Sequence, residues 1–131
     1  MIGIKIIVDA SAWIEYLENS SKGKKASELL DASLNEVYTP VSVIAEVLHK
    51  TLKRGLDIEQ ALEIIRQMST VVLLDIDCGI NAAQVYAKCR TKGNSFGMLD
   101  AFVVATAREV GGKILTFDNG FRQFKEAIIP S

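Results

Sequence analysis

The chain predicts a three-layer α/β/α fold built on a central parallel sheet, and three observations carry that prediction. Short β-branched runs alternate with helical segments, the order that parallel strands joined by helical crossovers require. The runs Ile4-Lys5-Ile6-Ile7-Val8 and Ile114-Leu115-Thr116-Phe117 each stop at an aspartate, Asp9 and Asp118. The 131 residues, 49% hydrophobic and 24% charged, suit a single compact domain over 1–131.

The first strand reads as residues 4–9. Residues 11–19 carry Trp13, Ile14, Tyr16 and Leu17 at helical spacing, and a polar turn, Asn19-Ser20-Ser21-Lys22-Gly23, follows. A second helix covers 24–34 with Ala26, Leu29, Leu30 and Leu34 inward, and Val37-Tyr38 forms a short strand. Pro40 suits the first turn of the next helix, where its missing N–H costs nothing; that helix runs to Arg54 and stops at Gly55. Asp57 caps a helix over 58–68. Residues 71–75 are a strand, and Asp77 opens a helix reaching Lys92. Gly93-Asn94-Ser95-Phe96-Gly97 is the clearest loop signal. An apolar helix over 98–110 ends at Gly111-Gly112, 114–117 is a strand, and 127–129 adds an edge strand.

Several function classes drop out early. No apolar run approaches the ~20 residues that span a bilayer. The amino terminus lacks a basic region, and Asp9 cuts its hydrophobic stretch short, so a secretory leader is not expected and a cytoplasmic location is. Cys78 and Cys89 have no CxxC spacing and no histidine placed for zinc, and read as buried, reduced thiols. With His49 the single histidine, RNA cleavage by a histidine pair is excluded. The net charge of −1 carries no global nucleic-acid signal, although a balanced total can hide a basic rim around an acidic centre.

Four carboxylates remain as the candidate chemistry: Asp9, Glu46, Asp100 and Asp118. Asp9 and Asp118 follow strands, at the sheet edge where open α/β folds bind ligands. Each has an ordinary alternative, a helix cap for Asp9 and an Asp-Asn-Gly turn for Asp118. Ser11 competes for the first of these, and if Ser11 caps, Asp9 is free to bind. Glu46 shares a helix face with His49, Lys50, Lys53 and Arg54, so it is either a solvated acid paired with Lys50 or a ligand beside a cationic stripe. Asp100 lies in a segment apolar on nearly all sides, where a carboxylate needs a metal or an arginine; the metal is favoured. Acids gathered in one cleft repel one another unless a hard cation such as Mg²⁺ or Mn²⁺ lies between them. Thr116 sits two residues before Asp118, as Ser11 sits two after Asp9, adding a hydroxyl at each strand end. Trp13 and Tyr16 sit at core spacing rather than as stacking platforms.

Taken together, Val8-Asp9-Ala10-Ser11-Ala12-Trp13, Ser42-Val43-Ile44-Ala45-Glu46-Val47, Leu99-Asp100-Ala101-Phe102 and Thr116-Phe117-Asp118-Asn119-Gly120-Phe121 resemble the PIN domain, in particular its VapC-type toxin branch. The resemblance covers nearly the whole chain. It implies an endoribonuclease that uses one or two Mg²⁺ or Mn²⁺ ions, the toxin of a toxin–antitoxin pair, a homodimer and a small antitoxin partner. It places Asp9, Glu46, Asp100 and Asp118 as catalytic metal ligands, and Ser11 and Thr116 as auxiliary hydroxyls. Lys50, Lys53 and Arg54 are the candidate RNA contacts, with Lys22, Lys24, Lys25 and Arg90 behind them. One departure is Gly120, where many relatives carry an acid; its absence weakens a second metal position.

Other readings fit less well. A haloacid-dehalogenase-type phosphotransferase wants an acid where Ser11 stands, and a response-regulator receiver wants paired acids where Ile7-Val8 precede Asp9. The non-enzyme alternative is a catalytically silent PIN-like scaffold that binds RNA or protein. Retention of all four acids argues against it.

Overall fold

The computed structural model describes residues 2–89 and 96–131. Within them, β1 (Lys5–Val8), β2 (Glu36–Pro40), β3 (Thr70–Val72), β4 (Lys113–Leu115) and β5 (Ala127–Ile128) form one sheet in the order β3-β2-β1-β4-β5. Every strand pair is parallel. The central strand explains the layering. Ile6, Ile7 and Val8 point alternately to opposite faces, yet all three are fully buried, so helices cover both sides of the sheet. β4 repeats this with Ile114 and Leu115, paired in register with Ile7 and Val8.

The helices are α1 (Ala10–Glu18), α2 (Ser21–Leu30), α3 (Val41–Lys53), α4 (Ile58–Met68), α5 (Ile76–Ala87) and α6 (Met98–Val110), with a 3₁₀ turn at Asn119–Gln123. They pack chiefly as the consecutive pairs α1–α2, α3–α4 and α5–α6. Trp13, fully buried, anchors α1, and its indole N–H donates to the buried Thr39 hydroxyl of β2 at 3.0 Å. Both Trp13 and the half-buried Tyr16 therefore serve the packing role their spacing indicates.

The predicted helix α4 and the predicted helix α6 match the structure residue for residue, because their ends carry strong local chemistry. Asp57 accepts hydrogen bonds from the amides of Glu59 and Gln60, and Gly111 closes α6 at φ 71° in the left-handed region. Other boundaries move. α2 begins at Ser21 because Ser20, rather than a residue beyond the polar turn, caps it by accepting from the Gly23 amide at 3.0 Å. It ends at Leu30, and Leu34, expected inward, is 57% exposed. Pro40 closes β2 and occupies the cap position of α3, one residue before the predicted place. Strand β3 stops at Val72, and Asp75 caps α5 by accepting from the Cys78 amide at 2.8 Å, so Asp77 lies inside that helix. α5 ends at Ala87, while residues 90–92 of its predicted end lie outside the described residues.

The predicted loop 93–97 falls partly there too. Its described end carries Phe96, fully buried against Phe121 and Phe124 at ring distances of 5.3 and 5.1 Å.

Candidate active site

The strand order fixes where the site lies. From β1 the chain builds outward through β2 and β3, then returns to the other side of β1 as β4 and β5. The reversal falls between β1 and β4, and open α/β sheets form their ligand crevice beyond the strand ends at such a point. Asp9 leaves β1 at that place, its amide continuing the ladder by donating to the Leu115 carbonyl at 3.0 Å.

Asp9 occupies the cap position of α1 but makes no side-chain cap. Ser11 does not cap either, since it lies inside the helix and its hydroxyl is used elsewhere. Ser11 Oγ donates to Asp9 Oδ2 at 3.0 Å and Thr116 Oγ1 donates to the same oxygen at 2.8 Å. With both protons committed to Asp9, the two hydroxyl oxygens accept backbone donors. Ser11 Oγ takes the Phe117 amide at 2.9 Å, and Thr116 Oγ1 takes the Asp118 amide at 3.0 Å. The expected pairing of one hydroxyl per strand end is thus a single network across β1 and β4.

Glu46 comes from α3 and Asp100 from the first turn of α6. One carboxylate oxygen from each, together with one from Asp9, lies within 4.8 Å of the others. Among the described residues the ion pairs are Arg54–Glu18 and Arg108–Glu126, so neither supplies an arginine to this cluster. Glu46 Oε1 is buried without a hydrogen-bond partner. Ser42 Oγ, one turn earlier on the same helix face, is buried and unpartnered as well. No sequence signal singles out Ser42, because a serine early in a helix has many uses.

Electrostatics follow from this crowding. Burial pushes the Asp9 carboxyl above its usual range, opposed by the bonds from Thr116 and Ser11. Burial and then the Asp9 charge raise Glu46, while Lys50, one turn on, lowers it. Asp100 is pushed up to about 7, mainly by burial, with Asp9, Glu46 and Asp118 adding to the rise and the Gly97 amide opposing it. That amide donates to Asp100 Oδ2 at 2.8 Å. Three acids all pushed toward their protonated form, with one oxygen orphaned, are short of positive charge. The donor set is all hard oxygen, which fits Mg²⁺ or Mn²⁺.

Asp118 stands apart from the three. Its Oδ1 accepts from the Gly120 amide at 2.8 Å, the turn role its sequence allowed, while its charge still acts on all three neighbours. Of the predicted cationic stripe on α3, Lys50 and Arg54 line one cavity beside Glu18. Lys50 is exposed and electrostatically linked to Glu46, Lys53 is exposed further along, and Arg54 is turned to Glu18 of α1. Arg90 lies outside the described residues.

A family model described as the PIN domain matches residues 6–127, from β1 through β5. The chain belongs to the PIN domain family. No curated protein sequence matches it. Solved structures do. VapC20 of Mycobacterium tuberculosis, described as a sarcin–ricin-loop-cleaving toxin, is 19% identical with TM-score 0.75, covering 96% of this chain and 99% of that one. A chain of a toxin–antitoxin complex from Klebsiella pneumoniae is 16% identical with TM-score 0.76, covering 96% and 98%. A chain of VapBC2 from Rickettsia felis, solved bound to a promoter DNA fragment, is 14% identical with TM-score 0.72, covering 96% and 97%. At these identities the likeness is one of fold, the PIN-like three-layer arrangement around a parallel sheet. Among the described residues no helix is long and apolar enough to cross a membrane.

Proposed function

We propose that this PIN domain is a divalent-metal-dependent endoribonuclease and the toxin of a toxin–antitoxin pair. The observation that carries the proposal is the meeting of Asp9, Glu46 and Asp100 within 4.8 Å without a protein cation between them. Asp9, Glu46 and Asp100 would hold Mg²⁺ or Mn²⁺, and Asp118 would add charge for a second ion. A bound divalent ion lowers the pKa of a water and stabilises the charge of a phosphodiester as it is cleaved.

The protein's own part is positioning. Ser11 and Thr116 fix the Asp9 carboxylate by donating to one of its oxygens, and their tie to the Phe117 and Asp118 amides sets the spacing between strand ends. Glu46 and Asp100 are held on helices, so the three carboxylates close on one point with little rearrangement. Lys50 is the α3 cation linked to the cluster and would meet a substrate phosphate. Lys53 would extend that contact, and Arg54 would reach substrate only by leaving Glu18.

Function as a toxin with a small antitoxin partner is supported by the fold shared with chains of toxin–antitoxin complexes, and a homodimeric state is carried over from the family resemblance alone. The test is cleavage of a fluorogenic single-stranded RNA with Mg²⁺, Mn²⁺ or EDTA. Turnover should need the metal and vanish in Asp9→Asn and Asp100→Asn. Metal-driven thermal stabilisation without turnover would favour the silent scaffold instead.

A further inference from the structure

On the ribonuclease reading the acid cluster takes a polyanion, and with a net charge of −1 on the chain a cation near its mouth would help to hold the substrate. The α3 cations are partly spoken for, as above. A different one is built into place. Lys22, the second residue of α2, lies with Nζ 5.8 Å from the centroid of the Phe117 ring. Phe117 is the residue between Thr116 and Asp118, it is partly exposed, and its amide is bonded to Ser11 Oγ. Ring and ammonium therefore sit one residue from the hydrogen-bond network that holds Asp9.

The position of Lys22 is set by its neighbours. Asn19 takes a left-handed conformation, φ 53°, to turn the chain from α1 into α2. Ser20 accepts from the Gly23 amide and donates to Glu15 Oε1 at 2.6 Å, tying the start of α2 to α1. A Cβ on Gly23 would come within 2.0 Å of the Glu15 carbonyl oxygen, so only glycine allows the helices to approach this closely beside Lys22. The two cation–aromatic contacts of the described residues also differ. Arg108 over Phe124 has a carboxylate partner in Glu126, whereas no ion pair among the described residues includes Lys22. An exposed ammonium resting on a ring is weakly held, and a phosphate oxygen competes for it on favourable terms.

We propose that Lys22 and Phe117 are the nucleotide grip of the site. The Phe117 ring stacks on a base beside the scissile phosphate, and the Lys22 ammonium moves from the ring to a backbone phosphate of the same strand. Aromatic stacking of this kind is tolerant of base identity, and a lysine contact adds a salt-dependent, sequence-independent component. The proposal rests on the ribonuclease reading and adds to it the residues that take hold of the substrate.

The experiment measures binding apart from cleavage. A fluorescein-labelled single-stranded RNA of mixed sequence is titrated, by anisotropy in Mg²⁺, with the full chain carrying Asp100→Asn to keep the RNA intact. Added to that parent, Lys22→Ala should weaken binding about fivefold to tenfold and reduce the slope of log K against log salt by about 0.7. Lys22→Arg, which keeps the charge, should bind no more than about twofold more weakly than the parent. Phe117→Leu should weaken binding about tenfold with the salt slope unchanged, stacking being uncharged. In the protein with Asp100 intact, Lys22→Ala should raise KM and leave kcat within about twofold. Parent-like binding by Lys22→Ala overturns the grip, and if Phe117→Leu fails a thermal-melt check, the exposed Lys22 decides alone. An intact protein that cuts RNA while both variants bind normally sinks the grip and spares the ribonuclease reading. A parent that binds no RNA, with an intact protein that cuts none, sinks both.

Discussion

The two ends of α6 handle buried acid in opposite ways. At its start, Asp100 faces Asp9 and Glu46, none of the three is ion-paired among the described residues, and its carboxyl is pushed up to about 7, burial being the main cause. At its end, Arg108 donates from Nε to Glu126 Oε2 at 2.9 Å. Burial also pushes Glu126 up, but that hydrogen bond and the charges of Arg108 and Lys125 outweigh it and hold the carboxyl below its usual range. Glu126 is 8% exposed, so it too is withdrawn from water. Each region even leaves one carboxylate oxygen without a partner, Glu46 Oε1 and Glu126 Oε1. Burial weighs more heavily on Asp100, and only Glu126 has a paired cation set against it. One helix supplies the cation that neutralises Glu126 and one acid of an unneutralised cluster whose repulsion a divalent ion would relieve.

Removing an acid from the cluster should have the largest effect. Asp100→Asn keeps the shape of the side chain and takes away one charge. On the proposed reading kcat falls by more than about 100-fold, beyond what outer-shell groups typically supply, and Mn²⁺ affinity measured calorimetrically falls with it. An Asp100→Asn protein as active as the parent would remove the cluster from the chemistry.

The same substitution should act in the other direction on metal-free stability. The folded carboxyl of Asp100 titrates near 7 against an ordinary 3.8, so the folded state keeps a proton that the unfolded chain gives up. The stability this proton confers is complete below about pH 4 and is lost as pH rises through about 7. In EDTA, Asp100→Asn should therefore melt roughly 3–6 °C above the parent at pH 8, after allowance for the partial exposure of the group, and at the same temperature at pH 4. Saturating Mn²⁺ should reverse the order at pH 8, because only the parent binds the ion well.

The paired end should show the converse. Arg108→Met keeps an unbranched apolar stem but removes the guanidinium, which lies over the Phe124 ring and pairs with Glu126, leaving Glu126 buried alone. The Arg108 side chain is 50% exposed and that of Glu126 11%, so the expected loss lies between surface and buried pairs, ~1–2 kcal/mol in urea at pH 8. Because the folded Glu126 carboxyl sits below its ordinary 4.5, the pair stabilises above that pH and its contribution fades as pH falls through the folded value. At pH 3 the Arg108→Met deficit should shrink.

The legibility of these features in the sequence varied with how local their causes are. Asp9 and Asp118 were visible because each ends an apolar run, and α4 and α6 because Asp57, Gly97 and Gly111 mark their ends within a turn. Asp100 stood out as an acid in an apolar helix. The order of the sheet, which puts Asp9 beside Thr116, depends on pairing between β1 and β4, more than 100 residues apart, and periodicity does not encode it. Neither Asp9 nor Ser11 caps α1, since Asp9 accepts from the hydroxyls of Ser11 and of Thr116, the residue after β4, and Ser11 accepts from the Phe117 amide. The α3 cations read as one stripe by spacing, but Glu18, on another helix, draws Arg54 away.

That last pair should matter least to stability, and it calibrates the other two. Arg54 and Glu18 are joined across α3 and α1 with side chains 51% and 37% exposed, so water already solvates both charges. Exposed pairs of this kind contribute ~0–1 kcal/mol, with side-chain ordering offsetting most of the attraction. Arg54→Ala should shift the urea midpoint by less than the equivalent of ~0.5 kcal/mol, and 0.5 M NaCl should abolish whatever shift remains. The same salt should leave most of the Arg108→Met deficit in place, because Glu126 is shielded from counterions. An Arg54→Ala protein destabilised as much as Arg108→Met would show that exposure does not rank these acids, and the contrast between the two ends of α6 would then need a cause other than the presence of a cation.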